Sequence, residues 1–233
     1  MRLIEDQALE LTTTARSVLG TDLPLIDAAV TVEQLLAHRS GIGDYLDEDL
    51  IADIEEWPFS VRAQDIARTA DCLPLLDDQP QKFPPDRNFS YCNGGSVVLA
   101  LICERVTGTE FAELVQAHVT SRANLASTAS LDVGRVPPDA AVGYLADGRP
   151  NIDNLPRVGS GDGGSTEPTT GKRYGLGFGL DPTDTRVSLE GCDAGVSFRS
   201  IHDQRRDLTT TVVSNSTDGA WSVLRALEAT VEP

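Results

Sequence analysis

FSYCNGG, residues 89–95, stands between a loop with two prolines, KFPPDRN (82–88), and the most apolar helix-like run of the chain, GGSVVLALICERVTG (94–108). Asparagine is a preferred N-cap because its side-chain oxygen accepts one of the orphan amides of a first helical turn. Asn93 is therefore the expected N-cap of a largely buried helix from Gly94 to Gly108, with Gly94 and Gly95 allowing close backbone approach. Tyr91 then projects from the residues just before a rigid helix. That position suits either a core tyrosine beside a cap or a mounted catalytic group. On spacing alone the first is the commoner arrangement, since helix caps far outnumber active sites.

Upstream, Thr31 opens TVEQLLAH with Gln34 three residues later, a capping box followed by apolar Val32, Leu35 and Leu36 on one face. That helix stops at SGIG, Ser40 to Gly43, and a second is expected over Val61 to Ala70. Downstream, Thr109 opens TEFAELVQAHV, where Phe111, Leu114, Val115 and His118 form a stripe. Residues 131–173 are rich in Gly, Pro, Asp and Thr and read mostly as loop. Short β-like segments follow, RYGLGFGL, RVSL, GVSFRSIH and DLTTTVVSN, and then a terminal helix, AWSVLRALEATV. Helices first, then antiparallel strands with a closing helix, predict an α+β domain. The expectation is one partial domain over 1–233: a mainly helical lobe (1–130), a loop-rich stretch (131–173), and sheet strands with a C-terminal helix (174–233).

The 233 residues hold 40% hydrophobic residues, enough for a substantial core. No apolar run reaches the length of a membrane span, and MRLIEDQALEL lacks the apolar core of a signal peptide. A net charge of −17, with Lys82 and Lys172 as the only lysines, argues against nucleic acid or an anionic membrane as partner. Cys72, Cys92, Cys103 and Cys192 show no C-x-x-C spacing and no neighbouring histidine, so no zinc cluster is expected. A reduced cytoplasmic protein is the default, and the spacing leaves a disulfide open.

Taken in order, VTVEQLLAHRSGIGDY, FPPDRNFSYCNGGSVVLALICERVTGTEF, YGLGFGL, DAGVSFRS and TVVSNSTDG resemble the serine hydrolase family of penicillin-binding proteins and class C-like β-lactamases, closest to its esterase and peptidase branch. The resemblance covers nearly the whole chain. It implies an antiparallel sheet flanked by helices plus a helical lobe, and acyl transfer through a serine ester on a small amide, ester or β-lactam, with no cofactor or metal. In that family a serine in S-x-x-K attacks the acyl carbon. The Y-x-N tyrosine, here Tyr91, exchanges protons with nucleophile or leaving group, and its asparagine, here Asn93, orients lysine and substrate. A third motif, K-T-G or H-x-G on a strand, lines the other wall of the pocket.

This sequence departs from the pattern at two of the three. Gln79 precedes Lys82 and Thr169 precedes Lys172 by three positions, so the chain holds no S-x-x-K. In the family that motif lies shortly before the segment resembling LIEDQALEL, so the expectation is that it falls upstream of Met1. At the third motif the chain reads Leu189, Glu190, Gly191, which keeps only the glycine; Glu190 and Gly191 are the candidate substrate-binding positions. Only a few residues separate Gly164 of SGDGG from Tyr174, where relatives have a longer helical excursion. The resemblance thus implies an incomplete fold, inactive as this chain. Without the S-x-x-K helix it would leave apolar faces bare on the 94–108 helix and on two strands, inviting self-association through an open sheet edge. The competing readings are a non-catalytic binding protein and a gene fragment.

Other motifs carry little. Gly159, Gly161 and Gly164 match G-x-G-x-x-G without the strand and helix a dinucleotide site needs, and no G-x-S-x-G occurs. His38 and His118 read as satisfied structural histidines, His202 has no identified serine partner, and Cys92 has no visible base.

Overall fold

The computed structural model describes residues 1–47, 65–131, 137–145, 147–151, 173–181, 185–193 and 195–231, which fall into two units. The first is built from the residues up to 131. Its opening helices are short: α1 (Arg2–Glu5), α2 (Ala15–Leu19) and α3 (Val32–Leu36). The expected capping box forms, with Thr31 Oγ1 accepting from Gln34 N and Gln34 Oε1 accepting from Thr31 N. The Arg16 guanidinium donates to the carbonyls of Gly20, Asp22, Leu23 and Ile26 at 2.7–3.0 Å, which sews the α2–α3 connection to α2.

A 3-10 turn, Thr69–Cys72, leads into α4 (Leu73–Leu76). The helix expected over Val61–Ala70 lies partly outside the described residues, and its described part holds no α-helix: Asp65 is in a 3-10 turn, residues 66–68 are non-helical, and a second 3-10 turn starts at Thr69. There the Asp71 carboxylate accepts from the amides of Ala67 and Arg68, fixing a turn instead of a continuing helix. The long helix α5 (Asn93–Thr107) ends on Gly108 in the left-handed conformation, φ 70°, as its sequence requires. Next come α6 (Phe111–Val115) and a π turn, Gln116–Thr120.

The core of this unit sets Val98, Leu101 and Ile102 of α5 against Leu9, Leu19, Val30, Val32, Leu35 and Leu76. Ile102 and Val98 are fully buried. The bare apolar face expected on this helix is therefore not found, because the short N-terminal helices and α4 cover it. Each large side chain so buried contributes about 1.5–3 kcal/mol.

The second unit holds a two-stranded ribbon, β1 (Gly143–Tyr144) with β2 (Pro150–Asn151), which the loop-like composition of 131–173 does not announce. Its main sheet runs β3 (Arg173–Tyr174), β4 (Gly179–Leu180), β5 (Arg186–Asp193), β6 (Val196–Asp203) and β7 (Leu208–Ser214), in that order and antiparallel throughout. Helix α7 (Gly219–Val231) covers one face. The fully buried Ser197 Oγ accepts from Ala220 N at 3.1 Å and donates to Ser216 O at 2.8 Å, tying the start of α7 to β6. On the opposite face Leu189, Val196 and Val213 remain exposed, Val213 to 69%.

Candidate functional site

The site is assembled where two distant segments of the first unit meet. HRSGIGD (38–44), just past α3, runs beside residues 81–94, and backbone amides lace them: Lys82 N to Gly41 O, Asp86 N to Arg39 O, and Ser90 N to His38 O. Gln81 Nε2 adds bonds to the carbonyls of Ser40 and Phe83. Gly41 has φ 68°, and a Cβ there would collide with the Phe83 carbonyl, so the crossing needs glycine.

This lacing delivers acceptors to the start of α5. Asp44, itself buried, accepts from Asn93 N at 2.6 Å and Gly94 N at 2.9 Å, and also from Leu46 N at 3.2 Å. Cys92 Sγ accepts from Gly95 N at 3.3 Å, and His38 Nδ1 accepts from Cys92 N at 3.2 Å. The amides of residues 92 to 95 are thus satisfied by three side chains, and the Asp44 carboxylate sits at the positive end of the helix dipole. The N-cap is Cys92, not Asn93. Asn93 begins the helix, and its Nδ2 donates to Leu46 O at 3.4 Å. Asparagine's cap preference is displaced because an aspartate from another segment already holds the first amides. Gly94 fits closely, since a Cβ would lie 2.7 Å from Leu76 Cδ2 and 3.3 Å from Asp44 Oδ1.

Tyr91 keeps 42% of its surface exposed, and its ring lies on the His38 imidazole with centroids 4.3 Å apart and planes inclined by 37°. Burial holds the His38 imidazolium form down, to a pKa of about 4, so the ring is neutral and free to accept at Nδ1. Burial, then the Asp44 charge, pushes the Cys92 thiol up to about 12, which removes it as a nucleophile at neutral pH. Lys82 Nζ pairs with Asp47 at 2.7 Å and lies 3.4 Å from Ser90 Oγ. Asp44 and Asp47 match no catalytic or capping pattern in the sequence. Their one signal is acidic residues directly after a glycine-rich helix stop.

Glu190 and Gly191 lie on β5 in the second unit. Glu190 pairs with its cross-strand partner Arg199 at 3.4 Å, and Arg199 also reaches Glu228 of α7 at 3.8 Å, so Glu190 shares the face that carries α7. Gly191 opposes Phe198 and lies on the other face, exposed. The SGDGG stretch and Lys172 lie outside the described residues. His202 Nδ1 is hydrogen bonded to Thr209 Oγ1 at 2.9 Å, and His118 is half-buried on its helix. All four cysteines are free thiols. Among the described residues no cluster of His, Cys, Asp and Glu is placed to hold a metal ion, and no helix is long and apolar enough to cross a membrane.

Residues 1–166, which contain the whole laced site, match the Beta-lactamase family. The chain belongs to that family. The fold agrees over nearly the full length. A penicillin binding protein from Bacillus halodurans superposes with a TM-score of 0.83 at 28% identity, covering 98% of this chain and 81% of that one. A D-stereospecific amidohydrolase from Streptomyces sp. gives 0.73 at 18% identity, covering 99% and 82%. An octameric penicillin-binding protein homologue from Pyrococcus abyssi gives 0.74 at 18% identity, covering 99% of this chain and 62% of that chain. The α+β architecture of this Beta-lactamase-family chain, an antiparallel sheet flanked by helices, is that of the β-lactamase/transpeptidase fold, and the chain is shorter than these relatives.

Proposed function

We propose that this chain carries the proton-transfer and binding elements of a serine-type acyl hydrolase acting on a small amide, ester or β-lactam. Tyr91 is the proton-transfer group, Asn93 orients the substrate, and Glu190 and Gly191 mark the substrate strand. The observation that carries the reading is the exposed Tyr91 phenol on a backbone held by acceptors from a distant segment. Such pre-organisation suits a group that must meet a reacting atom. The free cysteines favour a reducing compartment, the cytoplasm. Two copies pair along the outer edge of β7, which has no ladder partner on that side among the described residues and bears no charged side chain to block one.

The nucleophile is the missing part, since no serine of these 233 residues stands three positions before a lysine. An unassisted serine hydroxyl is a weak nucleophile at neutral pH. The purified chain should therefore bind benzylpenicillin or a short acyl amide reversibly and form no acyl-enzyme. Incubation with a fluorescent penicillin and a fluorophosphonate probe, read by intact mass, tests this, and stoichiometric labelling of one serine would overturn it. The second reading, a non-catalytic binding protein, is favoured by the same missing motif. It is distinguished by fusing an S-x-x-K segment to the N-terminus: a fusion that folds, binds and still does not hydrolyse supports binding alone.

A further inference from the structure

We propose that His38 is a positioning residue for Tyr91, acting through two separate contacts of one ring. It rests on the reading of Tyr91 as the proton-transfer group. The in-plane lone pair of Nδ1 accepts from Cys92 N at 3.2 Å and so fixes the peptide that follows Tyr91. The face of the same ring supports the phenol, at 4.3 Å between centroids. The edge-to-face contact with Phe89, at 6.1 Å and 82°, holds the imidazole from the side, and the His38 carbonyl accepts from Ser90 N at 3.0 Å. Residues 89 to 92 therefore each touch His38. The residue sits 6% exposed at φ 53°, a conformation reached only because the helix stop turns the chain there. A histidine kept solely for packing would not need its backbone, its lone pair and its ring face all turned to one tetrapeptide.

The two contacts are separable by substitution. His38→Leu removes both the acceptor and the aromatic face. His38→Asn keeps an oxygen near the place of Nδ1 and tolerates a positive φ, but gives up the face. Amide hydrogen exchange on the full chain should show Cys92 N–H exchanging about tenfold faster in His38→Leu, the worth of one buried hydrogen bond. The amides of residues 98–102 should keep their wild-type rates. In His38→Asn the Cys92 protection should return while the ring resonances of Tyr91, assigned with Tyr91→Phe, move as far as in His38→Leu. A general loss of stability would raise exchange along all of α5 and would not divide this way. If His38→Leu unfolds, His38→Asn alone decides, because wild-type Tyr91 resonances there overturn the platform and fast Cys92 exchange overturns the acceptor. Wild-type behaviour at both positions in His38→Leu overturns the whole inference. No ligand is needed, so failure to bind or hydrolyse acyl compounds would overturn the proposed function and leave these readouts to stand or fall separately.

Discussion

Replacing Asp44 by alanine removes the acceptor of two consecutive amides, those of Asn93 and Gly94, at 2.6 and 2.9 Å. Both donors lie at the buried start of α5, where water has little access, so each loses a charge-assisted bond worth about 1.5–3 kcal/mol. The carboxylate also faces the positive end of a 15-residue helix, a further contribution of about 0.3–1 kcal/mol. These terms overlap, since one carboxylate supplies them all, and we expect a net loss of about 3–4 kcal/mol from the first unit. Asp44→Asn retains one acceptor oxygen but turns an amide donor toward the other N–H, and should lose about 1–2 kcal/mol. Urea unfolding followed by far-UV circular dichroism gives the stabilities, and hydrogen exchange resolved to α5 and α7 shows which unit bears the loss. Were Asp44→Ala to unfold within about 0.5 kcal/mol of wild type, the α5 start would owe nothing to this side chain, and the account of how FSYCNGG is mounted would be wrong.

Three further outcomes follow from the same geometry. In any form of the protein that turns over an acyl substrate, Tyr91→Phe should lower kcat by about 10²- to 10⁴-fold, measured under single-turnover conditions. His38 has its pKa lowered from 6.5 to about 4 by burial, so the unfolded chain takes up its proton first. Stability should be fully present above pH 6.5 and fall as pH drops toward 4, by about 2–3 kcal/mol, and His38→Asn should flatten that window in pH-dependent unfolding. Ser197→Ala should cost about 1–2 kcal/mol by orphaning Ala220 N and Ser216 O, and show as faster amide exchange at the start of α7 alone.

What the sequence discloses and what it hides divide by distance along the chain. The Thr31–Gln34 capping box, the glycine stop at 108 and the strand character of GVSFRSIH are set by neighbours within a few residues, and each appears where the sequence places it. Asn93 is misread as a cap because its local preference competes with Asp44, a residue 49 positions earlier that no short window contains. The same holds for His38, legible as a satisfied histidine but not as the partner of Cys92 and Tyr91. The covered face of α5 is hidden for another reason: α1 and α4 are four residues each, too short to give a periodic signal, yet Leu3, Ile4, Leu73 and Leu76 all pack on the core.

The bonds that hold the front of α5 span 49 to 54 residues, which bears on the order in which this unit folds. The body of α5 can gain helical bonds from its own turns, whereas residues 92–94 must wait for a long loop to close, and that closure carries an entropy cost before any contact rewards it. In pulse-labelled refolding, protection should reach residues 98–102 first and residues 92–94 last. The peptide that mounts the candidate chemistry would then be among the final pieces to set, and the first to open when the native unit fluctuates.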